Sequence, residues 1–174
     1  MVPGFAEYRP GEAREPVEVK VRPATAGDLD HLTRIQIAAG RESHPDHDAR
    51  AVADPGVCVL VAEVGGWVAG WGTTSCLDTP ADLAPAGHYL GGVTVEPDWR
   101  RRGIALALTD ARLRWIAGRA DEAYYVVNAS NRASIDLHRR WGFLEVARGP
   151  SFAGIPFDGG LGLLMRADVV GLRR

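Results

Sequence analysis

The stretch from Val93 to Leu108 constrains the fold more than any other part of the sequence. A β-branched run ends before a proline, three arginines follow at 100–102, and an apolar run with helical spacing begins after Gly103. This order predicts a strand, a tight loop and the start of a helix. The first N–H groups of a helix have no partner within it and lie at the positive end of its dipole. Small residues such as Gly103 and Ala105 leave room for an anion there.

The three arginines stand at the end of the helix where its dipole disfavours cations. Their placement is easier to explain if a negatively charged ligand binds at the same point. A solvated turn is the alternative interpretation, because short glycine patterns recur by chance. The loop by itself leaves both interpretations open.

A second motif lies in the segment from Asn128 to Phe143, which reads NASNRASIDLHRRWGF. Ser130 or Asn131 would cap a helix there. Asn131, Ser134 and His138 recur at i, i+3 and i+7, so they would share one face of that helix.

With these two motifs in this order, the sequence resembles the GNAT superfamily of acetyl-CoA-dependent N-acetyltransferases. Arg100, Gly103 and Ala105 match the family's pyrophosphate motif, Gln/Arg-x-x-Gly-x-Gly/Ala. The segment from Asn128 to Phe143 matches its Asn-x-x-Ala/Ser-x-x-Leu-Tyr/His-x-x-x-Gly-Phe element. The resemblance covers the chain from Val17 to Ala167 in outline and is specific over the two motifs.

The resemblance implies the GNAT fold, an α/β (α+β) architecture with a mixed central sheet of about six to seven strands and about four flanking helices. Strands 4 and 5 of this sheet would be parallel and splayed apart, and the cofactor would enter between them. We expect a single acetyltransferase domain over residues 17–174. Residues 1–16, which are rich in Pro, Gly and Glu, are expected to be a flexible N-terminal arm.

The resemblance also implies that acetyl-CoA is the acetyl donor. Backbone groups of Val93, Thr94 and Val95 would bind the pantetheine arm and the thioester carbonyl. Asn131 would position the pantetheine, and Ser134 would lie beside the cofactor. The loop amides that would hold the diphosphate belong to Arg100, Arg101, Arg102, Gly103, Ile104 and Ala105.

Acetyl transfer also needs an acid for the leaving thiolate and a base for the amine. His138 takes the position at which the family most often has a tyrosine acid, and an imidazole with a reference pKa of about 6.5 can do the same work. A histidine packed on its own helix is the alternative. The central strand has no carboxylate near His88 and Tyr89. Either residue could pass a proton to water, or the amine could bind already neutral.

The rest of the chain supports an alternating architecture. Residues 17–21 alternate as a first strand, and Thr25 with Asp28 resembles a capping box before a helix. Gly65-Gly66 predicts an antiparallel hairpin. Gly91-Gly92 predicts a bulge in the central strand or the close approach of a ligand.

Within the segment from Gly40 to Gly56, the stretch from Arg41 to Asp48 holds two histidines and two aspartates within five residues, but we expect no metal site. Pro45 is expected to break the helix that would align His44 with His47, and no second cluster completes a ligand set. Within the resemblance this segment is a variable helix and loop over the acceptor pocket.

Two further features carry weaker expectations. Cys58 and Cys76 lack the spacing of a zinc or redox site, so both are expected to be small core residues. The loop at 149–160 carries Phe152 and Phe157, which would form either a pocket lid or a contact with the core.

Composition narrows the function classes. A net charge of −2 gives no basic field for nucleic acid, and no apolar run reaches the roughly 20 residues that cross a membrane. No secretory signal is visible, so we expect a cytoplasmic transferase. The leading hypothesis is an acyltransferase that moves acetyl from acetyl-CoA to a small-molecule primary amine by direct attack in a ternary complex. The alternatives are acetylation of a protein N-terminus, of the ribosomal-protein type, and a non-catalytic acyl-CoA-binding module; a homodimer is left open.

Overall fold

The computed structural model describes residues 5–173, and within them it contains four α-helices and nine strands. The helices are Leu29–Ala38 (α1), Pro45–Ala53 (α2), Ile104–Ala117 (α3) and Arg132–His138 (α4). The strands are Lys20–Pro23 (β1), Val59–Val64 (β2), Trp67–Leu77 (β3), Gly87–Val95 (β4), Glu122–Asn128 (β5), Leu144–Gly149 (β6), Ser151–Phe152 (β7), Ile155–Pro156 (β8) and Gly162–Asp168 (β9).

Seven strands form one mixed sheet in the order β1-β2-β3-β4-β5-β9-β6, and β7 pairs with β8 in a separate two-stranded sheet. β4 and β5 are parallel, with His88 opposite Ala123 and Tyr89 opposite Tyr124. The pairs β1-β2, β2-β3, β5-β9 and β6-β9 are antiparallel. Parallel neighbours need a crossover connection, and α3 supplies it between β4 and β5. The mixed sheet and its parallel pair confirm the expected fold class.

The chain divides into two compact units, which are described separately. The amino unit comprises residues 11–75 and 91–112, and the carboxyl unit comprises residues 76–90 and 113–173 together with residues 5–10.

The core of the amino unit lies between α1 and the β2-β3 hairpin. α1 follows the expected capping box, in which Asp28 accepts hydrogen bonds from the Thr25 N–H and hydroxyl at 2.8 and 2.9 Å. The hairpin turns at Gly65 and Gly66, with φ of 57° and 85°, as the glycine pair predicted. The side chains of this core are Leu32, Ile35, Val59, Val61, Val68 and Trp71.

The core of the carboxyl unit forms where β5 and β9 pack against the second half of α3 and the chain after α4. Asn131 caps the start of α4, and its side-chain oxygen accepts the N–H of Ser134 at 3.1 Å. Gly142 closes the following turn in the left-handed conformation, with φ of 74°. The largest cluster here is Leu90, Leu113, Ile116, Ala117, Ala123, Tyr125, Val127, Phe143, Leu163, Met165, Ala167 and Val169.

Several expectations about local structure were wrong. Pro45 begins α2 rather than breaking a helix, because proline at the first helical position gives up an N–H that has no partner there in any case. His44 therefore lies outside the helix that contains His47, as expected. The first strand starts at Lys20 rather than Val17. Cys58 is buried as expected, whereas Cys76 is exposed. The segment 149–160 contains the β7-β8 hairpin, and Phe152 is fully buried in it, which favours packing over a lid.

Candidate functional site

The junction between β4 and α3 has the geometry of an anion cradle. α3 begins at Ile104, and Gly103 before it has φ of +90°, in the left-handed region where glycine is favoured. A β-carbon built on Gly103 would meet no heavy atom within 4 Å, so the space in front of the loop is open. Across residues 5–173, no acceptor is found for the backbone N–H groups of residues 101–106. Such N–H groups at the positive end of a 14-residue helix attract a negatively charged group.

The three arginines of the loop are each held differently. The Arg100 Nε donates to the carbonyl of Val95 at 3.1 Å, and burial followed by the charge of Arg101 lowers the pKa of Arg100. Arg101 forms an ion pair with Glu12. The guanidinium of Arg102 lies 5.8 Å from the ring centre of Trp99. A guanidinium has five N–H donors and these contacts use only some of them, so both the arginine side chains and the backbone amides of the loop can bind an anion.

Thr94, in the second half of β4, is held by two residues that sequence reasoning missed. The buried Thr94 hydroxyl donates to Gln36 at 2.7 Å and accepts from Arg41 at 2.9 Å. Arg41 also lies 3.4 Å from the carbonyl of Val93, and burial followed by the charge of Arg100 lowers its pKa. Nothing in the sequence around Gln36 and Arg41 marks them, because their role depends on a contact more than 50 residues away.

Arg112 of α3 holds the glycine pair of β4. Its side chain is fully buried and donates to the carbonyls of Thr73 at 2.8 Å, Gly91 at 3.1 Å and Gly92 at 3.4 Å. Burial lowers the pKa of Arg112 to about 10, so it stays charged at neutral pH. A β-carbon on Gly91 would lie 2.6 Å from the methyl group of Thr73. The neighbouring strand β3 thus makes the close approach at Gly91, where we expected a bulge or a ligand.

His138, in the carboxyl unit, ends α4 inside an aromatic cluster. It is 4% exposed, and its Nδ1 lies 2.8 Å from the carbonyl oxygen of Ser134. Its ring stacks on Tyr125 at 4.3 Å between ring centres and meets Phe143 edge-on at 5.7 Å. Burial raises the pKa of Tyr125 above its usual range. The Tyr125 contact places His138 against β5. The adjacent tyrosines in the sequence of β5 are the one local feature that could have indicated this aromatic cluster.

His88 and Tyr89 lie on the first half of β4 and differ in how readily each side chain could accept a proton. The His88 ring meets Trp115 edge-on at 5.7 Å, and burial together with the charge of Arg119 lowers its pKa, so the imidazole is neutral near pH 7. The Tyr89 hydroxyl donates to a backbone carbonyl, that of Pro85, at 2.6 Å. Burial raises the pKa of Tyr89 to about 12, so it keeps its proton.

The candidate residues thus fall into two groups. The amino unit brings the loop residues 100–105 together with residues 93–95, and the carboxyl unit holds His88, Tyr89, Asn131, Ser134 and His138. Among the described residues there is no group of side chains that could hold a metal ion. None of the helices within 5–173 has the length and apolar character to span a bilayer.

The chain is similar to several known proteins. The acetyltransferase (GNAT) family matches residues 29–143, which is more than half of the chain. An N-alpha-acetyltransferase from Sulfurisphaera tokodaii is 30% identical over 78% of this chain and 86% of the relative. A mycothiol acetyltransferase from Clavibacter sepedonicus is 31% identical over 79% of this chain, which spans only 46% of that protein. The crystal structure of Arabidopsis thaliana NAA60 in complex with acetyl-CoA has the same fold, with a TM-score of 0.70 and 20% identity over 87% of this chain and 98% of that one.

Proposed function

Because the chain belongs to the acetyltransferase (GNAT) family and is an acyltransferase, we propose that it moves the acetyl group of acetyl-CoA to the α-amine of a protein N-terminus. The similarity to an N-alpha-acetyltransferase, which extends over most of both chains, supports this acceptor over the small-molecule amine that the sequence alone favoured.

The observation that carries the proposal is the set of open amides before α3. Backbone N–H groups of residues 101–106 without an internal acceptor suit the diphosphate of acetyl-CoA, and Gly103 adds no side chain in front of them. In this proposal the backbone of Val93, Thr94 and Val95 holds the pantetheine arm and the thioester carbonyl. Asn131 and Ser134 lie beside the cofactor.

The chemistry proposed is direct attack of the amine nitrogen on the thioester carbonyl carbon. The carbon–sulfur bond breaks as the carbon–nitrogen bond forms, the amine loses a proton and the sulfur gains one. His88 suits the base, through water, because its lowered pKa keeps the imidazole neutral. Tyr89 suits it less because its hydroxyl is bonded to Pro85. His138 is the acid of the proposal. Its Nδ1–H faces the carbonyl of Ser134, so it donates to the sulfur from Nε2 in its imidazolium form and returns to the neutral ring.

The acceptor is tested with the purified chain, acetyl-CoA and a matched set of amines. The set contains a peptide with a free N-terminus and an internal lysine, the same peptide with its N-terminus blocked, and several small primary amines. We expect mass spectrometry to find one acetyl group, on the α-amine of the free peptide, and none on the blocked one. Acetylation of the blocked peptide or of the lysine would contradict the proposed acceptor.

A small-molecule amine is the second candidate, and the similarity to a mycothiol acetyltransferase is the observation that favours it. If thiol release occurs with small amines and not with the free peptide, this candidate replaces the first. Binding of acetyl-CoA without turnover of any amine would favour a non-catalytic acyl-CoA-binding module.

A further inference from the structure

Residues 12–17 form a segment that runs along the loop before α3. The N–H of Arg14 donates to the carbonyl of Arg101 at 3.0 Å, and the N–H of Val17 lies 3.4 Å from the carbonyl of Arg102. The Arg14 guanidinium donates to the carbonyl of Asp98 at 3.0 Å. Glu12 adds the ion pair with Arg101. The segment precedes residue 29, where the family match begins, so these contacts come from a part of the chain that the match does not include.

These contacts fix the direction in which the loop amides point. In a trans peptide unit the carbonyl of one residue and the N–H of the next point in opposite directions. When the carbonyls of Arg101 and Arg102 face the segment, the N–H groups of Arg102 and Gly103 face away from it. Arg101 also has φ of +64°, a left-handed conformation that is rare outside glycine and persists only where its surroundings hold it.

We propose that residues 12–17 are a positioning segment of the cofactor site. By holding two carbonyls of the loop, the segment presets the N–H groups of Arg102 and Gly103 for a diphosphate, so that less order has to be imposed when the cofactor binds. This inference rests on the proposed function because it takes the diphosphate to be that of acetyl-CoA. Residues 12–16, which belong to the expected N-terminal arm, are in this proposal part of the site.

Two truncations test the segment. A chain lacking residues 1–17 loses all of these contacts, whereas a chain lacking residues 1–10 keeps them and serves as the control. We expect calorimetry to show acetyl-CoA affinity about tenfold weaker in the longer truncation. This is the change expected when the loop amides are no longer held in place and about one hydrogen bond to the cofactor is lost. The KM for acetyl-CoA should rise by the same factor while kcat changes less than about twofold, because the segment touches no reacting atom. Equal affinity in the two truncations would overturn the proposal, and so would tighter binding in the longer one.

A pair of point variants at Arg14 keeps the proposal testable if the longer truncation does not fold. Both variants remove the guanidinium, but Arg14→Ala keeps the backbone N–H and Arg14→Pro removes it. We expect Arg14→Pro to bind acetyl-CoA more weakly than Arg14→Ala and to lower the NMR order parameters of Arg102 and Gly103 in the cofactor-free protein.

The two measurements separate the possible failures. If the full chain does not bind acetyl-CoA, the proposed function fails, and the order parameters still show whether the segment holds the loop. If the full chain binds and the Arg14 pair has equal affinity and equal order parameters, the positioning role alone fails.

Discussion

Replacing Gly103 with alanine tests the diphosphate assignment directly. Gly103 has φ of +90°, so any side chain there adopts a backbone conformation that costs about 1–2 kcal/mol. For a chain of this size that cost lowers the melting temperature by about 2–8 °C. The added methyl group meets no protein atom within 4 Å, but it enters the space in front of the amides. Misplacing one charge-assisted hydrogen bond to phosphate costs about 1.5–3 kcal/mol, which corresponds to about 10- to 150-fold in acetyl-CoA affinity.

Gly142 provides the matched control for the backbone strain. It has φ of +74°, and a β-carbon there also meets nothing within 4 Å, but it lies after α4 and away from the loop in sequence. We therefore expect Gly142→Ala to lower the melting temperature as much as Gly103→Ala while leaving the affinity unchanged. The assay is isothermal calorimetry with acetyl-CoA, alongside thermal unfolding of each variant without the cofactor.

The affinities of the two variants decide the assignment. If Gly103→Ala binds acetyl-CoA as tightly as the unmodified chain, the diphosphate does not rest on this loop. If both variants lose affinity equally, the effect comes from general destabilisation. Gly103→Glu extends the series, because its bulk and negative charge should abolish binding; retained affinity in that variant would refute the assignment outright.

Three further predictions concern turnover and stability. His138→Phe should lower kcat by about 10²-fold or more with little change in acetyl-CoA affinity, and equal rates across pH would rule out the acid role. Gly91→Ala should lower the free energy of unfolding by about 1–3 kcal/mol because its β-carbon would lie 2.6 Å from a threonine methyl of β3, whereas Gly92→Ala, with open space, should be near neutral in urea unfolding. Hydrogen bonds from Arg22 hold the pKa of Asp28 well below its usual range, so the stability from this pair is present above about pH 4 and is lost as the pH falls further. In Asp28→Asn, the free energy of unfolding should fall less steeply as the pH drops below about 4. The same pH dependence in the variant and the unmodified chain would contradict the role of this ion pair.

The features that the sequence predicted correctly depend on short-range rules. Gly65-Gly66 and Asn131 each act through their own backbone conformation or through a partner within three residues. Such rules can be read without knowing the fold. The order of strands and helices around the loop followed from the same local signals, and the parallel pair β4-β5 followed from the helix between them.

The features that the sequence did not predict depend on contacts between distant residues, or on a sequence pattern that is compatible with two different structures. Arg112 looks like a surface residue of an amphipathic helix, and only the packing of α3 on β3 and β4 buries it. Arg14 meets the loop 87 residues further along the chain. Pro45 satisfies both the rule for breaking a helix and the rule for beginning one, and its position relative to α2 decides between them.

Three arginines from three parts of the amino unit donate to the backbone of one strand. Arg112 reaches the carbonyls of Gly91 and Gly92, Arg41 lies next to that of Val93, and Arg100 donates to that of Val95. A guanidinium carries five donors in a rigid fork, so it can hold two carbonyls at once where a lysine ammonium would hold them less precisely. Burial lowers the pKa of all three side chains, yet each stays charged at neutral pH because guanidinium starts from a very high value. Charged side chains, as well as neighbouring strands, therefore hold the backbone of β4. In the proposed function this backbone binds the pantetheine arm. Exchanging any of the three for lysine would retain the charge and lose the fork that fixes the strand.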